Sequence, residues 1–131
     1  MSTLRKNERL SSQKEISYLV KQGNTFSCYP FRILWSISPN AQVSTFQLQA
    51  AFSVPKKKFK KAVQRNTIRR RMKEAFRLNK EPFKKDMKEQ PLKLSLLIIF
   101  TPVYELDYEK IENGIKKTFQ ILNKQITDKT Q

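Results

Sequence analysis

Histidine is absent from this chain, so no imidazole general base, His-containing triad or His-ligated metal can be built from it. The single cysteine, Cys28, has no partner for an internal disulfide and cannot supply a thiolate cluster. A small, half-buried packing role is expected of it. Only two glycines occur, which excludes a collagen-like chain. The longest apolar run, residues 96–100, is far shorter than the roughly 20 residues a transmembrane helix needs. Residues 1–10 are polar and charged and contain no signal-peptide core. Acidic residues are few, 11 in all, and are spread through the chain without an evident catalytic cluster. A soluble, cytoplasmic chain with no membrane partner is expected, and one poorly equipped to break bonds by itself.

Positive charge is what the chain has in excess. Lys and Arg number 27, the formal net charge is +16, and such a balance calls for a polyanionic partner. A length of 131 residues fits one domain over 1–131, with ends fraying at about 1–8 and 125–131. Ser12 and Glu15 have capping-box spacing, Ile16, Leu19 and Val20 share a helical face, and Gly23 is a plausible stop, which predicts a helix over 12–22. Alternation at Phe31, Ile33, Trp35 and Ile37 predicts a strand, and Pro39-Asn40 a turn. A second alternating run, Phe46 to Val54, is expected to pair back as a hairpin. Helical spacing begins at Ala62, while Pro82, Pro91 and several charges mark 79–91 as a connection. Residues 92–100 read as a buried strand, and Asp107 caps a final helix with Tyr108, Ile111, Ile115, Phe119 and Leu122 on one face. The order implies an α+β sandwich.

Residues 56–77 hold eleven basic side chains and one acid, Glu74, and so carry +10 of the +16. At about 100° per residue, Ile68, Met72, Ala75 and Phe76 form one face of a helix. Arg69, Lys73, Asn66, Arg77 and Arg70 form a stripe beside it, with Arg65 at the seam. Arg71, Glu74 and Thr67 point elsewhere, and Glu74 is in reach of Arg70 or Arg71. A solvated face would interleave acids, whereas this stripe has the charge footprint of a nucleic-acid surface. Arginine suits it because its planar fork pairs bidentately with phosphate oxygens. Lys56, Lys57, Lys58, Lys60 and Lys61 lead into the helix and could track a backbone. Phe26, Tyr29, Phe31 and Trp35 are core residues or, beside lysines, a groove for single-stranded RNA.

The run Ala62-Val63-Gln64-Arg65-Asn66-Thr67-Ile68-Arg69-Arg70, continuing to Lys73-Glu74-Ala75-Phe76, resembles the signature helix of the bacterial ribonuclease P protein subunit. The strand ending at Val54, the lysines at 56–58, Arg9-Leu10, Gly23 and the strand and helix of 94–122 fit the same family. Thr67 departs from the second Arg of the family's Arg-Asn-Arg motif. Lys60-Lys61 replace a Gly-Asn pair, Ile16 stands where Phe is frequent, and Thr101 departs from an Ala-Arg pair before the Pro. The resemblance implies a two-layer α/β sandwich whose four-stranded sheet has a left-handed βαβ crossover carrying the basic helix. It also implies binding of a catalytic RNA through Arg65, Asn66, Arg69, Arg70, Lys73 and the five lysines. A cleft beside the sheet, with Phe31, Phe26 and Tyr29 as candidates, is implied for the 5′ leader of precursor tRNA. Hydrolysis is implied to belong to the RNA with Mg²⁺, with no catalytic residue, metal or cofactor held by the protein and no obligate protein partner. The residues taken alone leave a ribosomal or other structural RNA-binding protein open. A DNA regulator is less favoured, since no second helix precedes the basic one as a helix-turn-helix requires.

Overall fold

In the computed structural model, which describes residues 8–39 and 46–130, the chain forms three helices and one sheet. The elements are α1 (Gln13–Gln22), β1 (Asn24–Cys28), β2 (Phe31–Pro39), β3 (Gln47–Ser53), α2 (Ala62–Met87), β4 (Leu92–Phe100) and α3 (Tyr108–Thr130). Ser12 caps α1 by accepting from the Glu15 amide at 3.3 Å. The Glu15 carboxylate turns away from the cap to Lys93, 2.8 Å off. Gly23 closes the helix by donating its N–H to the Leu19 carbonyl. Asp107 caps α3 through the Lys110 amide at 3.0 Å.

The strand order is β1-β2-β4-β3. β2 and β3 therefore do not form the expected hairpin. β4 lies between them, antiparallel to β2 from Phe31↔Phe100 to Pro39↔Leu92 and parallel to β3 from Gln47↔Lys93 to Ser53↔Ile99. The reason is hydrophobic: β4 is apolar on both faces, and only a central strand buries both. The hairpin partner of β2 is β1, the fourth strand, whose Phe26 opposes Ile33. Asn40, assigned to the turn after β2, lies outside the described residues. The parallel neighbours β3 and β4 are joined through α2, which makes β3–α2–β4 the crossover unit.

Both faces of the sheet are covered. Phe31, Ile33, Trp35, Leu94, Leu96 and Ile98 pack with α2 and α3 in the larger core. Leu34 and Leu97 point the other way, onto Leu10, Ile16 and Leu19. Gly114 of α3 meets the β1–β2 turn so closely that a Cβ there would lie 2.5 Å from Pro30 Cδ and 2.9 Å from Phe31 Cε2. The Tyr29-Pro30 peptide in that turn is cis, and Cys28 is buried beneath it.

Two helices run further than the pattern indicates. α2 continues for 26 residues, through Pro82 and the expected connection. Proline removes one backbone donor, but buried Phe83 and Met87 and an Asn79–Glu112 bond of 3.0 Å hold the second half in place. α3 continues through the segment expected to fray: Ile126 is fully buried, Gln125 accepts from Trp35 Nε1 at 3.2 Å, and Lys129 sits 5.5 Å over the Trp35 ring. Nor is Glu8 frayed. It is buried, and its two oxygens take Lys80 at 2.7 Å and Lys84 at 3.1 Å, fastening the N-terminal segment to α2.

Burial opposes the charged Glu8 carboxylate, but the hydrogen bonds and charges of Lys80 and Lys84 outweigh it and hold its pKa below the ordinary glutamate value. A depressed carboxylate pKa contributes stability above the unfolded pKa and loses it as pH falls through the folded one. Glu8→Gln leaves the Lys80 ammonium buried without its anion, a loss of about 3 kcal/mol. Urea unfolding at pH 7 should show that deficit, and the gap to the wild type should narrow at pH 3. A pH-independent gap would show that the pair contributes by packing alone.

Candidate nucleic-acid interface

Ile68, Met72, Ala75 and Phe76 are all fully buried, which fixes the rotation of α2 about its axis. Asn66, Arg69, Arg70 and Lys73 then line one wall of an open groove of about 600 Å³. The other wall is β3, at Ala50, Ala51 and Phe52, with the segment Arg9-Leu10-Ser11 laid along it. That segment is held as a short parallel extension of the sheet: Arg9 bridges to Ala50, and the Leu10 amide donates to the Ala50 carbonyl at 2.9 Å. The groove thus brings Arg9 opposite the helical stripe. Nothing in helical spacing signals Arg9 as a site residue, because the approach is made by a strand edge 40 residues away in sequence.

Within the groove, Arg69 Nη1 donates to Asn66 Oδ1 at 2.9 Å, so the asparagine aims the guanidinium. Lys73 has its pKa lowered, by burial first and then by the charges of Arg69 and Arg9. Among the described residues no carboxylate forms an ion pair with Arg69, Arg70 or Lys73. Glu74, expected to pair with Arg70 or Arg71, instead takes Arg77 at 2.8 Å, which removes Arg77 from the stripe. Arg71 points away as its wheel position indicates, reaching Glu105 at 3.3 Å and the Leu106 carbonyl at 2.9 Å.

The remaining candidates divide. Arg65 does not line the groove; its Nη1 donates to the Phe59 and Lys60 carbonyls at 2.8 and 2.9 Å and braces the lysine loop. Lys58 donates to the Thr101 carbonyl. Lys56, Lys57, Lys60 and Lys61 are exposed. Thr67 gives its hydroxyl to the Val63 carbonyl of its own helix at 2.9 Å.

The aromatic candidates are not brought together as a groove. Phe31 is 1% exposed, inside the main core, with its ring centroid 6.5 Å from that of Phe100. Phe26 is half-buried against the same core. Strand alternation sends both toward α2 and α3, and the opposite face of the sheet is apolar as well and meets α1. Tyr29 alone is exposed. Among the described residues no three His, Cys, Asp or Glu side chains are grouped to hold a metal, and no helix is long and apolar enough to cross a membrane.

The Ribonuclease P family model matches residues 4–123. The ribonuclease P protein component of Porphyromonas gingivalis strain W83 is 29% identical over 115 residues, covering 88% of this chain and 82% of that protein. Its counterpart in strain ATCC 33277 is 28% identical over the same length. The solved RNase P protein of Staphylococcus aureus is similar in fold, with a TM-score of 0.63 at 20% identity, over 89% of this chain and 96% of that one. The Thermotoga maritima RNase P protein, solved in complex with 1-(4-fluorophenyl)-2-thiourea, also gives 0.63, at 19% identity over 86% and 97%. The shared architecture is the four-stranded mixed sheet with three helices.

Like charges gathered in the groove oppose one another until an anion arrives. The lowered Lys73 pKa means that the folded state disfavours its ammonium at neutral pH, a cost that disappears only as pH rises toward the ordinary lysine value. Lys73→Gln should therefore leave Tm unchanged or raise it by about a degree, while RNA affinity falls. A Tm drop of several degrees would show that Lys73 supports the fold instead.

Proposed function

The chain belongs to the ribonuclease P protein family, and from that premise we propose that its α2 groove grips the phosphate backbone of the ribonuclease P RNA. The holoenzyme of this family is an endoribonuclease, and the protein component is a partner of its RNA. The observation that carries the reading is the groove itself. Arg69, Arg70 and Lys73 face Arg9 across open space, Asn66 holds Arg69 in place, and among the described residues no carboxylate ion pair neutralises the three helix cations. Guanidinium groups so placed donate paired N–H bonds to phosphate oxygens. The exposed lysines at 56, 57, 60 and 61 extend the positive field beyond the groove and steer RNA toward it.

In this reading the protein assists removal of the 5′ leader from precursor tRNA in the cytoplasm, and the hydrolysis with Mg²⁺ is the work of the RNA. The chain's own contribution is to neutralise and position phosphates, since it carries no histidine and, among the described residues, no Asp or Glu lines the groove. A structural RNA-binding protein would use the same groove, so the substrate decides between the two.

Reconstitution with the cognate catalytic RNA should give cleavage of precursor tRNA at a lower Mg²⁺ concentration than the RNA needs alone. Purified protein should leave the precursor intact. Arg69→Ala should weaken RNA binding and reduce the magnitude of the log-affinity against log-salt slope by roughly 0.7–0.9. Arg71→Ala removes the same charge but should leave the slope unchanged and lower Tm by a few degrees, because it releases Leu106. Equal slopes for both variants would show a diffuse cationic patch rather than a positioned groove.

A further inference from the structure

On the other flank of α2, the β1–β2 turn meets the loop that follows β4. Tyr29 is 61% exposed, Val103 69% and Tyr104 55%. Isolated exposed apolar side chains are ordinary, but here two aromatic rings are joined at their tips by a hydroxyl–hydroxyl hydrogen bond of 3.1 Å. The ground beneath them is fixed. The Thr101 amide and hydroxyl both donate to the Pro30 carbonyl, at 3.0 and 3.1 Å. Arg71 holds the Leu106 carbonyl, and Gly114 is pressed against Pro30. The lysine loop is fastened to the same spot through Lys58 and the Thr101 carbonyl, with exposed Lys57 and Lys60 on either side of it in sequence.

Rigid exposed tyrosine faces beside a lysine-rich loop have the chemistry that holds unpaired nucleotides, with stacking for the base and ammonium groups for the phosphates. A second copy of this chain is the less favoured occupant, because two surfaces of a +16 protein repel. We propose that Tyr29 and Tyr104 form a stacking platform for an unpaired nucleotide of the RNA gripped by α2, with the loop over 56–61 holding the flanking phosphates. The proposal rests on the RNA-binding reading above and adds a contact on the flank away from the groove.

The test uses the full chain and two labelled ten-nucleotide RNAs, oligoadenylate and an abasic chain of the same length and charge. Fluorescence anisotropy should show the double variant Tyr29→Ala/Tyr104→Ala binding oligoadenylate about tenfold more weakly than the wild type. Its affinity for the abasic RNA and its salt slope should be unchanged, since no phosphate contact is lost. The double variant Tyr29→Phe/Tyr104→Phe keeps both rings and should bind as the wild type does. Both pairs replace exposed side chains, and circular dichroism melting confirms their folding. Equal losses on both RNAs, no loss on either, or a Phe pair as weak as the Ala pair would overturn stacking. A wild-type dimer in sedimentation that the Ala pair abolishes would instead make this a self-association face and overturn the proposal. If the RNA-binding reading itself were wrong, the wild type would bind neither RNA and Arg69→Ala would change nothing, a pattern distinct from failure of the platform alone.

Discussion

Every functional distance in this protein depends on the burial of one helical face. Phe76 packs edge-on against Phe52 of β3 at 5.4 Å between centroids and against Phe119 of α3 at 5.2 Å, so α2 is gripped from both sides. Ile68, Met72 and Ala75 complete the face. Each large side chain buried there contributes on the order of 1.5–3 kcal/mol, whereas repulsion between neighbouring surface cations costs tenths of a kcal/mol per pair. Burial therefore decides the orientation, and the cations take the positions that remain. A rotation by one residue, about 100°, would put Arg69 and Lys73, or in the other direction Arg71 and Glu74, into the core.

The parallel pairing of β3 with β4 does the second half of the positioning. A hairpin could bring β3 beside β2 with a short turn, but a parallel neighbour needs a crossover, and here the crossover is α2 itself. The helix thereby starts close to the end of β3, and the open edge of β3 is left for the N-terminal segment to pair with. Arg9 reaches the groove by that route. The Glu8 ion pairs hold the same segment one residue earlier. Local order near Arg9 thus depends on a buried charge pair at the far half of α2, and groove geometry and fold stability share one set of residues.

Much of this was legible in the sequence, and the failures have identifiable physical causes. Periodicity placed α1, β2, β4, the start of α2 and the start of α3, because each has an apolar face that its own spacing declares. Alternation alone did not show the pairing: it marks β2 and β3 as strands and says nothing about which neighbour each takes, although the family resemblance implied the βαβ crossover. That choice follows from the two-sided apolar character of β4. The second half of α2 was hidden by Pro82, whose local effect is outweighed by distant partners of Phe83 and Met87. The aromatics failed as a groove because Phe31 and Phe26 share the helix-facing side of the sheet with Trp35, so that only Tyr29 of the three nominated residues stands in solvent. The stripe of Asn66, Arg69, Arg70 and Lys73 was legible because it follows from the buried face alone, whereas Arg9 required the tertiary fold.

Counted by sequence, residues 56–77 carry +10, but many of these groups are engaged with the protein itself. Lys58 and Arg65 hold loop carbonyls, Arg71 holds Leu106, and Arg77 neutralises Glu74. Each of these cations fixes backbone or cancels an acid. Arg69, Arg70 and Lys73, which line the groove, have no carboxylate ion pair among the described residues. Arg70 and Arg71 make the distinction plain. They are adjacent, identical in charge and equally helical, yet one lines the groove and the other anchors a loop. Charge density alone therefore overstates the cationic surface that is left open. What selects the groove-lining residues is the angle each makes with the buried face, and that angle is set by the apolar residues between them.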